Sequence, residues 1–149
     1  MKFEKFLKGV GTHGQIIERA NGDKWLVCEG VGMKVPAGVM NLLGSGEAGD
    51  KTKKIVEALI KADIDDKVFL KRASIEKDGK PSDIIRIFGD MLDIEVGIYN
   101  ADFGLLEKTD YNLAEVEIES DDSLINTKYL LILEENDAVI GFIRGVKNI

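Results

Sequence analysis

The sequence predicts an α+β fold rich in β-structure, with about eight mainly antiparallel strands in a curved sheet, a sandwich or a small barrel. Short apolar runs separated by turn residues recur along the chain, and the Asn21-Gly22 pair is typical of a β-hairpin. Residues 51–62 have the clearest helical periodicity. Few helical segments separate the apolar runs, which favours antiparallel hairpins over strand–helix–strand crossovers.

Composition indicates a single folded domain over residues 1–149. The chain is 44% hydrophobic and 32% charged, and its longest apolar runs, such as 129–133, are far shorter than the roughly 18 residues of a membrane span. The amino-terminal residues lack the continuous apolar segment of a secretory signal, so we expect a cytoplasmic protein with no membrane partner. A net charge of −7 makes nucleic acid an unfavourable partner.

The first element predicted is an amino-terminal arm or short helix over residues 1–10. Phe3, Phe6, Leu7 and Val10 recur at helical spacing. This apolar stripe can pack on the chain's own core or on a neighbouring subunit, and the first is favoured. A hairpin follows, in which GQIIERA and KWLVCEG are strands on either side of Asn21-Gly22.

A glycine-rich loop is predicted for residues 30–50, with brief extended segments, because Pro36 limits both helix and interior strand. The amphipathic helix 51–62 comes next, with Ile55, Val56, Leu59 and Ile60 on its apolar side. Further strands are predicted at KVFLKRASI, IIRIF, DIEVGIY, AEVEIES, KYLLILEE and AVIGFIRGV, with a turn or short helix at NADFGLLEK.

The alternating carboxylates Glu115, Glu117 and Glu119 are predicted to share one face of a strand. A row of like charges can prevent uncontrolled pairing at a sheet edge, or it can meet a basic partner surface. The first interpretation is favoured because it needs only solvation.

The segment GSGEAGDKT, residues 44–52, resembles a phosphate-binding loop in which Asp50 separates the glycine from the lysine. As an anion site it would use Gly44, Gly46, Gly49, Lys51 and Thr52. A carboxylate beside a helix amino terminus repels phosphate, but it can accept hydrogen bonds from the unpaired N–H groups of the first turn. We therefore favour Asp50 as the N-cap of the helix over a nucleotide site.

No catalytic or metal-binding constellation is predicted. Asp102, Phe103 and Gly104 match the kinase D-F-G segment, but the other kinase motifs do not accompany them. The single histidine, His13, and the single cysteine, Cys28, could approach each other across the first hairpin, but Cys28 is expected to be a buried, inert thiol. We expect no cofactor and no metal.

The stretch MKFEKFLKGVGTHGQIIERANGDKWLV, with its glycine-rich continuation and acidic β-rich end, resembles small uncharacterised proteins encoded among bacteriophage structural genes. The resemblance implies a virion accessory protein, such as a capsid decoration or head–tail component, located in the bacterial host or in the virion.

The function expected from the sequence is therefore a noncatalytic protein-interaction and assembly module. Its partners would be further copies of the chain or other structural proteins. The contact residues expected are Phe3, Phe6, Leu7, Lys53 and Lys54. The alternative is a small-molecule or nucleotide-binding protein that uses residues 44–52.

Overall fold

The computed structural model describes residues 1–39, 45–64, 66–77, 79–89, 95–107, 112–118 and 127–145, and for 66–77, 80–89 and 95–96 it describes the backbone alone. It confirms the β-rich α+β class. The elements in chain order are α1 (Phe3–Val10), β1 (Gln15–Glu18), β2 (Lys24–Cys28), β3 (Val31–Lys34), β4 (Gly46–Glu47), α2 (Asp50–Ile60), β5 (Asp66–Lys77), β6 (Lys80–Gly89), β7 (Glu95–Tyr99), α3 (Asn100–Phe103), β8 (Leu113–Ile118), β9 (Thr127–Leu133) and β10 (Val139–Arg144).

All ten strands of the described residues belong to one open sheet, in the order β4-β1-β2-β3-β10-β9-β8-β5-β6-β7. Every pairing is antiparallel except that of β4 with β1. The two strands beyond the eight expected, β3 and β4, lie in the range 30–50, for which the sequence predicts a glycine-rich loop with brief extended segments. β3 forms because it pairs with β2 on one side and with β10 on the other. The pairing with β10 joins residues far apart in sequence, so the local sequence does not indicate it.

The predicted first hairpin is present, but its connection is longer than the two-residue turn that Asn21-Gly22 suggests. Glu18 pairs with Lys24, so five residues, 19–23, make the loop. Gly22 has a φ of 92°, and the Asn21 side chain accepts a hydrogen bond from the Asp23 N–H at 3.0 Å. Glycine and asparagine therefore have the roles expected of turn residues.

The described residues form two apolar core clusters, one on each face of the sheet. The face that we call the α1 face packs against α1 and the α3 region, and the opposite α2 face packs against α2. Strand β9 shows the alternation: Leu130 and Ile132 enter the α1 face, whereas Tyr129, Leu131 and Leu133 enter the α2 face. The central strands are consequently apolar at consecutive positions.

The centre of the α2 face is an aromatic group. The Phe142 ring stacks with Trp25 at a centroid distance of 6.1 Å and meets Tyr129 edge-on at 5.9 Å. Phe142 is paired with Gly32 on the neighbouring strand β3, and a Cβ atom built on Gly32 would overlap the Phe142 ring. Gly32 thus makes room for the aromatic side chain.

Helix α2 begins and ends close to its predicted bounds, but its cap differs from the prediction. Gly49 is the N-cap residue, no side chain of the described residues caps the helix, and Asp50 is the first helical residue. The prediction that Asp50 is the N-cap is therefore wrong. Its carboxylate still lies in the first turn, where negative charge is favourable beside the helix dipole.

The carboxylates of β8 do not protect a sheet edge, because β8 lies between β9 and β5. Glu115 pairs with Lys128 at 3.3 Å, and its side chain is only 8% exposed. Glu117 is exposed opposite Lys128, and Glu119 lies outside the described residues. The prediction that these carboxylates protect a sheet edge is therefore wrong. In the structure Glu115 and Glu117 lie beside a lysine of the neighbouring strand β9.

Candidate functional site

The strongest candidate site is a pocket of about 630 Å³ on the α1 face, which we call the α1–α3 pocket. Its volume lies within the range of small-molecule sites. Apolar walls and polar side chains from five parts of the chain meet there. The lining residues are Lys5, Phe6, Gly9, Val10, Cys28, Glu29, Val31, Tyr99, Ala101, Asp102, Leu105 and Arg144.

Two hydrogen bonds join helix α1 to the α3 region at the pocket. The Lys2 N–H donates to the Leu105 carbonyl at 2.8 Å, and Lys5 Nζ donates to the Gly104 carbonyl at 3.3 Å. Phe6 and Val10, one turn apart on α1, pack into the core beneath these contacts. The first helix therefore forms one wall of the pocket and not a free arm.

The opposite wall is the tight turn between β2 and β3. Cys28 pairs with Val31, so Glu29 and Gly30 make a two-residue turn, and both have positive φ, 49° and 84°. This is the conformation that joins twisted antiparallel strands with least distortion. The Arg144 N–H donates to the Gly30 carbonyl at 2.9 Å, and its side chain lies against Gly30. The turn thereby places Glu29 and Arg144 at the same rim.

Charges at this rim interact. Burial raises the pKa of Asp102, the Glu29 carboxylate raises it further, and Arg144 opposes both effects. Burial also raises the pKa of the Cys28 thiol, again with a contribution from Glu29. The two carboxylates therefore repel each other across the pocket. The raised pKa of the thiol disfavours the thiolate, which is the stronger nucleophile.

A second pocket of about 360 Å³ lies on the α2 face and shares Cys28, Glu29 and Arg144 with the first. His13 also lines it, so the sequence's only histidine and only cysteine border one pocket. Cys28 is half-buried, not fully buried as expected. Because its raised pKa opposes thiolate formation, this arrangement does not resemble an activated cysteine–histidine pair.

In the described part of residues 44–52, which does not include Gly44, two backbone N–H groups are engaged in strand pairing. The N–H groups of Gly46 and Ala48 donate to the carbonyls of Gly14 and Ile16, which makes β4 a short strand beside β1. Gly49 caps α2 and Lys51 lies exposed on its first turn. Thr52 lines the second pocket.

The predicted contact residues separate into two groups. Phe3 and Phe6 are buried in the chain's own core and Leu7 is half-buried against it, so Phe3 and Phe6 are not available as surface contacts. Of the two predicted positions for the apolar stripe of α1, packing on the chain's own core is the correct one, because the stripe faces the sheet. On α2, Lys54 is exposed, and Lys53 pairs with Glu47 at 3.3 Å.

Several pocket residues carried no signal in the sequence analysis. Asp102 stands out in the sequence only through its D-F-G resemblance, and no sequence pattern marks Lys5, Glu29, Tyr99 or Arg144. The Glu29-Gly30 pair between two apolar runs was the available sign of a tight turn. The turn lies near α1 and α3 because of the order of the strands in the sheet. Local sequence patterns do not specify that order.

Within the described residues, no three His, Cys, Asp or Glu side chains come together in a way that could hold a metal ion. The helices of that part of the chain are also too short, or too polar, to cross a bilayer. No protein-family model matches the chain. Neither a curated protein nor a solved structure matches it.

Proposed function

We propose that the chain is a noncatalytic protein-interaction and assembly module that self-associates at the edge formed by β7. The observation that supports this most directly is Tyr99. It is 51% exposed and is the one large hydrophobic side chain exposed among those that the structure describes. It lies at the end of β7, the last strand in the sheet order of the described residues, and at the rim of the α1–α3 pocket.

An edge strand beside an exposed tyrosine has the chemistry of a docking surface. The outer backbone groups of an edge strand can pair with another strand, and a second β7 related by a two-fold axis would supply one. Tyrosine is enriched at interfaces because its ring buries apolar area while its hydroxyl still finds a hydrogen-bond partner. A symmetric dimer through β7 would extend the sheet and cover Tyr99.

Burial raises the pKa of Cys28, the only thiol of the chain, and so disfavours the thiolate that a cysteine nucleophile needs, which supports the noncatalytic part of the proposal. A more specific proposal is that the chain is a capsid decoration or head–tail component. It rests on the resemblance of the amino-terminal stretch to bacteriophage structural-gene products. In that form the same β7 edge would meet another virion protein.

Sedimentation velocity from micromolar to millimolar concentration tests self-association. We expect the average mass of the wild-type chain to rise with concentration. Tyr99→Ser should raise the dissociation constant at least tenfold, equivalent to about 1.4 kcal/mol. Glu135→Ser is the matched control because Glu135 is exposed in the turn between β9 and β10 and belongs neither to β7 nor to the lining of the α1–α3 pocket. A chain that stays monomeric throughout, or an equal effect of both substitutions, overturns the proposal.

A further inference from the structure

We infer that the α1–α3 pocket binds a free α-amino acid with an apolar side chain. This binding site goes beyond the proposed assembly function and does not depend on it. The inference rests on two observations: the pocket has an apolar floor, and its rim carries two groups of each charge.

The floor consists of Phe6, Val10, Val31 and Leu105, each less than one-tenth exposed although each reaches the pocket. Such a floor gains free energy when an apolar group displaces water from it. At about 630 Å³ the pocket is large enough for a branched or aromatic side chain. Glycine, which has no side chain, would leave the floor uncovered.

The rim carries the side chains of Lys5 and Arg144, which are cationic, and of Glu29 and Asp102, which are acidic. Equal numbers of opposite charges disfavour a ligand with a large net charge, such as a nucleotide, and suit a zwitterion. The Arg144 guanidinium can hold a carboxylate through two parallel hydrogen bonds. The ligand ammonium would then lie beside Glu29 and Asp102, where it relieves the repulsion between the two carboxylates.

Isothermal titration with L-phenylalanine and L-leucine is the direct test. We expect both to bind, glycine to show no detectable heat, and the N-acetyl and amide derivatives of phenylalanine to bind at least tenfold more weakly. The derivatives separate the two charge contacts, because acetylation removes the ammonium and amidation removes the carboxylate. Failure of both amino acids to bind, or equal binding of the neutralised derivatives, overturns the inference.

Gly9→Leu blocks the pocket without threatening the fold. Gly9 lines the pocket in α1, and a Cβ atom built there meets no other atom within 4 Å. Leucine is also a better helix former than glycine. We expect at least a tenfold loss of L-phenylalanine affinity with no fall in melting temperature. Lys8→Leu places the same side chain at an exposed α1 position outside the pocket and should bind as the wild type does. Undiminished binding by Gly9→Leu overturns the assignment of the site.

Arg144→Gln tests the orientation of the ligand. We expect it to weaken L-phenylalanine at least tenfold but to change the affinity of phenylalanine amide much less, since the amide has no carboxylate for Arg144 to hold. A merely structural role for Arg144 would weaken both ligands alike. That result would overturn the orientation.

Discussion

At the scale of single residues, the contact between Arg19 and Glu57 is the best-defined charge interaction of the described chain. Arg19 Nε lies 2.7 Å from Glu57 Oε1, and Arg19 Nη2 lies 3.4 Å from Glu57 Oε2, which joins the end of β1 to α2. The hydrogen bond from Arg19 lowers the pKa of Glu57, and Lys61 adds to that effect. Such a two-point contact has a more defined geometry than a single surface ion pair.

Glu57→Gln should lower the free energy of unfolding at neutral pH by about 1 kcal/mol or less, because both side chains keep partial contact with solvent. The folded pKa of Glu57 lies below its ordinary value, so the stabilisation is present above the ordinary glutamate pKa. It is lost as the pH falls through the folded pKa. Urea unfolding across this range should show the gap between variant and wild type closing in acid. Lys61→Gln should have a smaller effect, and a gap independent of pH would contradict the prediction.

At the scale of elements, the start of α2 shows that a helix can begin at a residue that has no side chain to cap it. Gly49 adopts an extended conformation, φ −73° and ψ 169°, which suits an N-cap residue, yet it has no side chain to accept the N–H groups of the first turn. Packing of Val56 and Leu59 into the α2 face supplies the stability that the missing cap does not.

Gly49→Ser should therefore stabilise the protein, by about 0.5 kcal/mol, since serine can cap the first turn and restricts the unfolded chain. A Cβ atom at position 49 meets no other atom within 4 Å, so no steric cost is expected. Thermal unfolding would measure the change. Gly49→Ala is the control, because alanine adds the same Cβ without a hydroxyl, and a serine variant no more stable than the alanine variant would exclude capping as the cause.

At the scale of the whole molecule, the two core faces share their central strands, and we therefore expect them to unfold together. Strands β2, β9 and β10 contribute alternate residues to both faces, so neither face can lose its packing without disturbing the strands that the other needs. The single tryptophan, Trp25, reports on the α2 face, and far-ultraviolet circular dichroism reports on the backbone as a whole.

Phe6→Ala on the α1 face and Leu59→Ala on the α2 face should each lower the free energy of unfolding, by about 3–5 and 2–5 kcal/mol respectively. We expect Trp25 fluorescence and circular dichroism to follow a single urea transition in both variants. If Phe6→Ala shifts the circular dichroism transition and leaves the Trp25 transition in place, the two faces unfold separately and the prediction fails.

The class of the fold was predictable because its strands and α2 have clear local signals, as in the consecutive apolar residues of 129–133 and the helical stripe of 51–62. The site was not predictable in the same way. Glu29, Asp102 and Arg144 are far apart in sequence and meet only because β3 pairs with β10 while α1 and α3 lie on one face. The sequence predicts only brief extended segments where β3 lies, for a related reason: Val31 and Met33 alternate with a glycine, and the Phe142 ring from another strand fills the space above that glycine.

The fit of Gly32 beneath Phe142 also links two distant positions in evolution. The residues at these two positions share one fixed volume in the core. A methyl group gained at position 32 must therefore be matched by a smaller ring or an aliphatic side chain at position 142. In chains of common descent we expect these two positions to change as a pair. Glycine at position 32 should accompany every phenylalanine at position 142 wherever β3 and β10 remain neighbours.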